Sequence, residues 1–238
     1  WGSFSLMPVT GELKVLPDQR AAKFRHQYED ARAYRYSVLL QDSKVRAEMA
    51  PSAHGGILQF TFPRTDRAYV VIDGNPGGSS VQIHPESNTI TGTNSKTAKG
   101  TAANFAVYFV AVFDRPFKSH GTWDASGAKD TALKRSGPHV GAYAGFSTPE
   151  GAKVTVRIGT SLISVEQAER NLKSEIPEAD FEKAAGRARD EWNRAAQPAL
   201  ATQRAQLGGR ARAIGGQTSD VDRHDLAAVP ARHVRDER

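Results

Sequence analysis

Short apolar runs separated by turn residues fill the first 163 positions of the chain and predict an all-β domain. About ten candidate strands follow one another with no helical period between them. They are Glu12–Leu16, Tyr34–Leu40, Val45–Met49, Ile57–Phe62, Tyr69–Ile72, Val81–Ile83, Thr89–Thr91, Phe105–Phe113, Gly141–Phe146 and Val154–Ile158. Short strands bounded by Gly, Pro, Asn and Asp favour an antiparallel β-sandwich or a barrel-like stack of sheets.

Two of these runs predict which faces of the sheets are covered. Val154, Val156 and Ile158 alternate with polar residues, as in a strand that has one solvated face. The run Phe105–Phe113 is apolar on both faces, a pattern that periodicity alone would also allow for a buried helix. Its β-branched and aromatic residues favour a central strand that is covered on both sides.

The pattern becomes helical at residue 164, and it predicts a helical linker over residues 164–197. Ser164 to Gln167 fit a capping box, in which the two side chains satisfy each other's backbone amides. Pro177 is expected to end the first helix, and Asp180 to cap a second. Apolar residues at helical spacing form one stripe on the second helix: Phe181, Ala184, Ala185, Ala188 and Trp192. We expect this stripe to pack against the sandwich or against a following domain.

Residues 198–238 have a different composition from the rest of the chain. They contain neither an aromatic residue nor a lysine, and their few large apolar residues show no sustained period. Such a segment buries too little apolar surface to offset the entropy of ordering, so it is predicted to be a disordered tail. A GC-rich gene read out of frame would give a similar composition, which makes a frameshift a second hypothesis.

Charge and composition exclude several classes of function. The net charge is +6, but basic and acidic residues are interleaved, so we predict no nucleic-acid partner. The absence of cysteine excludes a disulfide scaffold and a cysteine-based zinc site. No apolar run approaches the roughly 18 residues that span a bilayer, so no membrane partner is predicted. The chain starts at Trp1 without a signal peptide, and we expect it to be a fragment or a processed product.

No residue of the sequence belongs to a recognisable catalytic or metal-binding motif. The seven histidines form no ligand pair at helical or strand spacing, so no metal site is predicted. The glycine-rich stretch Asp73–Ser80 lacks a Walker lysine and indicates a turn. There is no Gly-x-Ser-x-Gly elbow, and no pair of carboxylates stands out for acid–base work.

Four residues remain as candidates for a ligand site or an interface. His26 and Glu29 lie three residues apart in a predicted loop, close in sequence to Tyr36. They would either form a local hydrogen-bonded pair that fixes the loop or face a ligand. Trp123 would stack on a sugar ring if its indole were exposed, but a buried tryptophan is equally compatible with the sequence.

Five stretches of the chain resemble a known family when they are taken in order. They are Leu6–Pro17, Phe24–Leu40, Phe60–Pro63, Val107–Phe117 and Gly159–Asn193. Together they resemble the N-terminal domain of family 92 glycoside hydrolases, which are α-mannosidases, mostly bacterial and exported. The resemblance extends over roughly residues 1–195 and is most specific in the last stretch, where a strand, a Ser-Val-Glu-Gln-Ala turn and two helices recur together.

The resemblance implies a fold and a two-domain enzyme. The fold would be an antiparallel β-sandwich of the galactose-mutarotase-like supersandwich type, joined by helices to a C-terminal catalytic (α/α)6 domain. The intact enzyme would hydrolyse α-mannosides with inversion and depend on calcium, and it would be secreted, periplasmic or extracellular. In the family the acid, the base and the calcium ligands come chiefly from the barrel. None is therefore assigned to this chain, which is expected to be inactive alone and to hold no cofactor itself.

The resemblance also bears on the candidate residues. His26 and Glu29 match the family pattern Phe-x-His-x-x-Glu, whereas Tyr34-Arg35-Tyr36 stands where the family usually has Gly-Tyr-Tyr. We expect His26, Glu29, Tyr36 and Trp123 to lie near the substrate or the domain interface. The leading hypothesis is a non-catalytic sandwich that supports the barrel and shapes the carbohydrate pocket. The alternatives are a free-standing carbohydrate-binding or interaction module and a truncated, inactive gene product.

Overall fold

The computed structural model describes residues 4–95, 102 and 105–213, with side chains described up to residue 197. The strands are β1 (Ser5–Thr10), β2 (Glu29–Arg32), β3 (Arg35–Leu39), β4 (Arg46–Ser52), β5 (Gly55–Phe62), β6 (Thr65–Asp73), β7 (Ser79–His84), β8 (Thr89–Asn94), β9 (Val107–Phe113), β10 (Ser119–Asp124), β11 (Lys129–Asp130), β12 (Lys134–Gly137), β13 (Val140–Thr148) and β14 (Ala152–Ser161). The helices are α1 (Pro17–Arg20), α2 (Val165–Glu175) and α3 (Phe181–Ala213).

These strands form two antiparallel sheets, as the turn-rich sequence predicts. The smaller sheet has the order β1-β6-β13-β10-β11, and the larger one has the order β12-β7-β8-β9-β14-β5-β4-β3-β2. The last strand in sequence, β14, lies in the middle of the larger sheet and pairs with both β9 and β5. The predicted antiparallel β-sandwich followed by helices is therefore confirmed.

The main core lies between the two sheets, and a second apolar cluster lies outside the larger one. The inner core contains Phe60 and Phe109 from the larger sheet and Phe146 from the smaller. On the outer face, Ile57 and Val110 pack with residues of α2 and α3, which makes the helices a third layer. Burying a large apolar side chain contributes about 1.5–3 kcal/mol, so both interfaces stabilise the unit.

For one strand, the burial of its two faces differs from the burial that its apolar–polar alternation predicts. Strand β9 is central and covered on both sides, as its apolar run predicts: Phe109 faces the inner core and Val110 faces the helices. The expectation of a solvated outer face on β14 is wrong, because Thr155 is buried there. Arg157 on the same face donates to the carbonyls of Ile176 and Pro177 at 2.9 and 2.7 Å, so the segment between α2 and α3 covers its guanidinium.

The segment Glu12–Leu16 is not a strand, contrary to the sequence prediction. Gly11 has a φ of 79°, in the left-handed region, and it ends β1. Val15 is buried beside Trp123 without pairing in a sheet, so its apolarity reflects packing of a loop. Strands β1, β2, β10, β11 and β12 were not predicted, because their residues do not alternate between apolar and polar types.

Of the two predicted helix caps, the Asp180 cap forms as predicted and the Ser164–Gln167 capping box forms only in part. Ser164 Oγ accepts from the Gln167 amide at 3.2 Å, but Gln167 Oε1 accepts from Arg170 Nη2 at 2.7 Å instead of closing the box on the Ser164 amide. Asp180 caps α3 as predicted, accepting from the Lys183 amide at 3.0 Å.

The long helix α3 belongs to two structural units. The chain up to Arg194 forms one unit and the chain from Ala195 forms a second. Of the second unit the structure describes helical backbone as far as Ala213, where the sequence predicts a tail that is disordered from residue 198. Alanine, arginine and glutamine have high intrinsic helix propensity, which needs no burial. The part of the tail prediction that covers residues 214–238 lies outside the described residues.

Among the described helices, none combines the length and the apolar character that crossing a membrane requires.

Candidate functional site

Three of the four candidate residues come together at the edge of the larger sheet. His26 lies in a short 3-10 turn that leads into β2, and Glu29 is the first residue of that strand. Glu29 pairs with Val38 and Ala31 with Tyr36, so Glu29 and Tyr36 project from the same face of the sheet. The sequence grouping of these three residues therefore corresponds to a grouping in space.

The Glu29 carboxylate holds the other two side chains. Tyr36 donates its hydroxyl to Glu29 Oε1 at 2.6 Å, and His26 Nδ1 lies 2.6 Å from Glu29 Oε2. The hydrogen bond from Tyr36, and then that from His26, lower the pKa of Glu29. The same bond raises the pKa of Tyr36 to about 12. The His26 side chain remains 90% exposed, so its ring is free to meet a ligand or another protein surface.

Replacing Glu29 by glutamine should lower the pKa of Tyr36 from about 12 towards the ordinary tyrosine value of 10. The amide carries no charge to disfavour the tyrosinate. In the wild type, stability from this bond is present below about pH 10 and is lost as the pH rises towards 12. Titration of 13C-labelled tyrosine rings by NMR would measure the shift. Glu178→Gln, whose carboxylate pairs with Lys183, is the control. An unchanged Tyr36 titration in Glu29→Gln would contradict the assignment.

Tyr36 also lines a concavity of about 530 Å³ at one end of strands β3, β4, β5 and β14. Its lining includes Phe4, Tyr36, Met49, Gly56, Leu58 and Ile158. No side chain fills the bottom of the concavity where β5 begins, because Gly55 and Gly56 have none. A Cβ on Gly55 would stand 1.9 Å from the Ile158 carbonyl oxygen, so only glycine allows the two strands to approach this closely.

Arg35 joins the sheet to the start of α3 beside this concavity. Its guanidinium lies 2.6 Å from Glu48 on β4 and 3.3 Å from Glu182 on α3. It also stacks over the Phe181 ring at 5.2 Å from the ring centre. The sequence shows Arg35 only as a departure from the family pattern, and no local signal indicates a partner 147 residues away.

The fourth candidate, Trp123, is not a ligand contact in this structure. Its side chain is fully buried, and its Nε1 donates to the Ile72 carbonyl at 3.2 Å. The indole packs edge-on to His139 and lies under the Arg20 guanidinium. The expectation that Trp123 faces the substrate or an interface is therefore wrong, because the smaller sheet and the loop around α1 enclose it.

A buried ionic cluster lies beside Trp123, and no local sequence pattern indicates it. Asp73 lies 2.5 Å from Arg20 and 2.7 Å from His139, and it is almost fully buried. Arg20 also donates to the Val15 carbonyl. The cluster ties the α1 loop to the end of β6 and is structural, because its groups satisfy one another.

The described part of the chain offers no metal site by geometry. Among those residues there is no group of three or more His, Cys, Asp or Glu that could hold an ion. Calcium is a hard cation that takes six to eight oxygen ligands. We therefore assign no calcium ligand to these residues.

Comparisons with known proteins converge on one family. The model of the glycosyl hydrolase family 92 N-terminal domain matches residues 1–161. The family 92 inverting mannosidase BT2199 from Bacteroides thetaiotaomicron is similar with 34% identity and a TM-score of 0.76, over 80% of this chain and 26% of that chain. The family 92 α-mannosidase BT3965 from the same organism has 27% identity and a TM-score of 0.73, over 82% of this chain and 28% of that chain. No curated protein matches the chain.

Proposed function

Because the chain belongs to glycosyl hydrolase family 92, whose N-terminal domain it contains, we propose that it is the non-catalytic sandwich of an α-mannosidase. In this role it supports a C-terminal catalytic (α/α)6 domain and helps to shape the carbohydrate pocket. The observation that supports the proposal most directly is the share of the relatives that the chain matches. It spans only 26–28% of BT2199 and BT3965, and that share corresponds to the N-terminal domain.

The intact enzyme would hydrolyse α-mannosides with inversion and use calcium. Inversion needs one carboxylic acid to protonate the leaving oxygen and a second carboxylate to activate water on the opposite face. In the described residues Glu29 is already engaged by Tyr36 and His26, and in the family the acid, the base and the calcium ligands come chiefly from the barrel. Both catalytic groups and the calcium ligands would therefore come from the catalytic domain. By family resemblance the enzyme would be exported.

If the catalytic groups lie in the catalytic domain, this chain would supply other contacts. Our candidates for contact with the mannoside or the catalytic domain are His26, Glu29 and Tyr36. The exposed imidazole of His26 is oriented by the Glu29 carboxylate, which leaves one ring nitrogen available to a sugar hydroxyl. Phe24 packs edge-on to the same ring and is itself exposed, so an apolar surface adjoins the polar one. This pairing of aromatic and polar groups suits carbohydrate.

The chain alone should release no mannose from α-1,2-mannobiose in the presence of calcium. By family resemblance the acid and the base lie in the catalytic domain, so we expect no acid–base pair for inversion in this chain. Mannose release measured by a coupled enzymatic assay would test this, with an α-mannosidase that is active on the same disaccharide as the reference. Turnover that scales with the amount of this protein would contradict a non-catalytic role.

A chimera tests the supporting role directly. Residues 1–194 of this chain would replace the matching N-terminal part of BT2199. We expect the chimera to hydrolyse an α-mannoside, whereas BT2199 without its N-terminal domain should not. A chimera that folds but has no activity would argue against the proposal.

A further inference from the structure

The inner face of the larger sheet is only partly covered by the smaller sheet. Along β3, β4 and β5, the cross-strand row Val38–Ala47–Phe60 lies on this face, and Val38 and Phe60 are buried in it. The next row on the same face is Tyr36–Met49–Leu58. There Met49 is 46% exposed and the concavity begins. The cover therefore ends between two neighbouring rows of the same three strands.

Most polar side chains around this concavity are already engaged within the protein, but Arg35 Nε and Ser52 Oγ are buried without a hydrogen-bond partner among the described residues. The Tyr36 hydroxyl donates to Glu29, and Thr160 Oγ1 donates to the His54 carbonyl at 2.9 Å. Arg35 is held by Glu48 and Glu182. A sugar in the concavity would leave its hydroxyls facing Met49, Leu58 and Ile158, which cannot hydrogen-bond to them. The surface is therefore suited to apolar side chains from protein.

The continuation of the chain passes beside the same place. Arg35 lines the concavity and also contacts Phe181 and Glu182 in the first turn of α3. The turn Pro51–Ala53 lines the concavity, and it also lines a smaller cleft against Ala184 and Ala188 of α3. The start of α3 thus lies beside the concavity, although α3 packs on the outer face of the sheet and the uncovered row lies on the inner face.

We propose that the row Tyr36–Met49–Leu58 and its concavity are the surface on which the C-terminal part of the longer protein packs, with apolar side chains of that part filling the space. This inference rests on the proposed function. The chain spans about a quarter of its solved relatives, so in those relatives most of the polypeptide lies outside the matched part. An exposed methionine is suited to such a contact, because its flexible thioether adapts to irregular partners.

The test compares Met49→Lys with Leu133→Lys, each in the isolated chain and in the BT2199 chimera. Both side chains are 46% exposed, which makes Leu133 a matched control. In the isolated chain either lysine should shift Tm by no more than about 2 °C, because its ammonium stays in water. In the chimera, Met49→Lys should lower Tm by about 4 °C or more and reduce α-mannosidase activity several-fold, since the charge is buried on packing. Leu133→Lys should shift Tm by the same small amount in the isolated chain and in the chimera.

Three outcomes would overturn the proposal, and they are distinguishable. Equal effects of the two lysines in an active chimera would show that Met49 is not in the contact, while the proposed function would stand. Saturable shifts of the Met49 methyl resonance of the isolated chain on titration with α-1,2-mannobiose would identify the concavity as a sugar site instead. An inactive wild-type chimera would contradict the proposed function, and the docking surface with it.

Discussion

Replacing Asp73 by asparagine is expected to lower the free energy of unfolding of the sandwich by about 3–5 kcal/mol. The side chain keeps its shape but loses the charge that compensates Arg20, whose guanidinium is buried 2.5 Å away. An amide also satisfies His139 less well than the carboxylate does at 2.7 Å. The cost arises because a cation stays buried without its counter-charge, and this exceeds the loss of one hydrogen bond.

Urea unfolding followed by fluorescence would measure this change. Asp30→Asn is the control, because the Asp30–Arg32 pair is half exposed and such pairs contribute about 0–1 kcal/mol. The double variant Arg20→Met/Asp73→Leu should recover much of the loss, since it removes both charges together. If Asp73→Asn were as mild as Asp30→Asn, the cluster would not have the energetic role that its burial indicates.

Trp123→Ala is expected to lower the free energy of unfolding by about 3–5 kcal/mol and to have no direct effect on sugar binding. The indole is fully buried, and Gly141 on the neighbouring strand leaves just enough room for it. Its removal opens a cavity beneath Arg20 and His139, and the Ile72 carbonyl loses the indole donor. The loss combines transfer and cavity contributions.

Trp192→Ala provides a control with the same chemical change, because Trp192 is 57% exposed. We expect its free energy of unfolding to change by less than about 1 kcal/mol. The two variants should also differ in near-ultraviolet circular dichroism, where only a rigidly packed indole gives a strong signal. Equal destabilisation by the two substitutions would show that the burial of Trp123 contributes little.

Local sequence patterns predict most of the strands and both helices, α2 and α3, that follow the sandwich. The apolar run of β9 indicated a central strand, and Asp180 indicated the cap of α3, since both signals depend on residues adjacent in sequence. The clustering of His26, Glu29 and Tyr36 was also accessible, because β2 and β3 are joined by a tight turn. For these features neighbours in the chain are neighbours in space.

Features that depend on distant pairing were not accessible from the sequence. Asp73 meets Arg20 across 53 positions and His139 across 66, and no local pattern marks any of the three. The burial of Trp123 follows from packing of the loop Glu12–Leu16, for which the sequence pattern predicts a strand. The covered outer face of β14 likewise depends on helices that follow it, so its alternation suggested solvent where there is protein.

The position of β14 has a consequence for how the protein is made. This strand is the last of the described strands to be synthesised, yet it joins the two halves of the larger sheet by pairing with β5 on one side and β9 on the other. Until residues 152–161 have left the ribosome, β5 and β9 present unpaired edges of apolar strands, which are sites for association with other chains. Completion of the sheet is therefore a late event in synthesis, and a chain that stalls before β14 keeps both edges open.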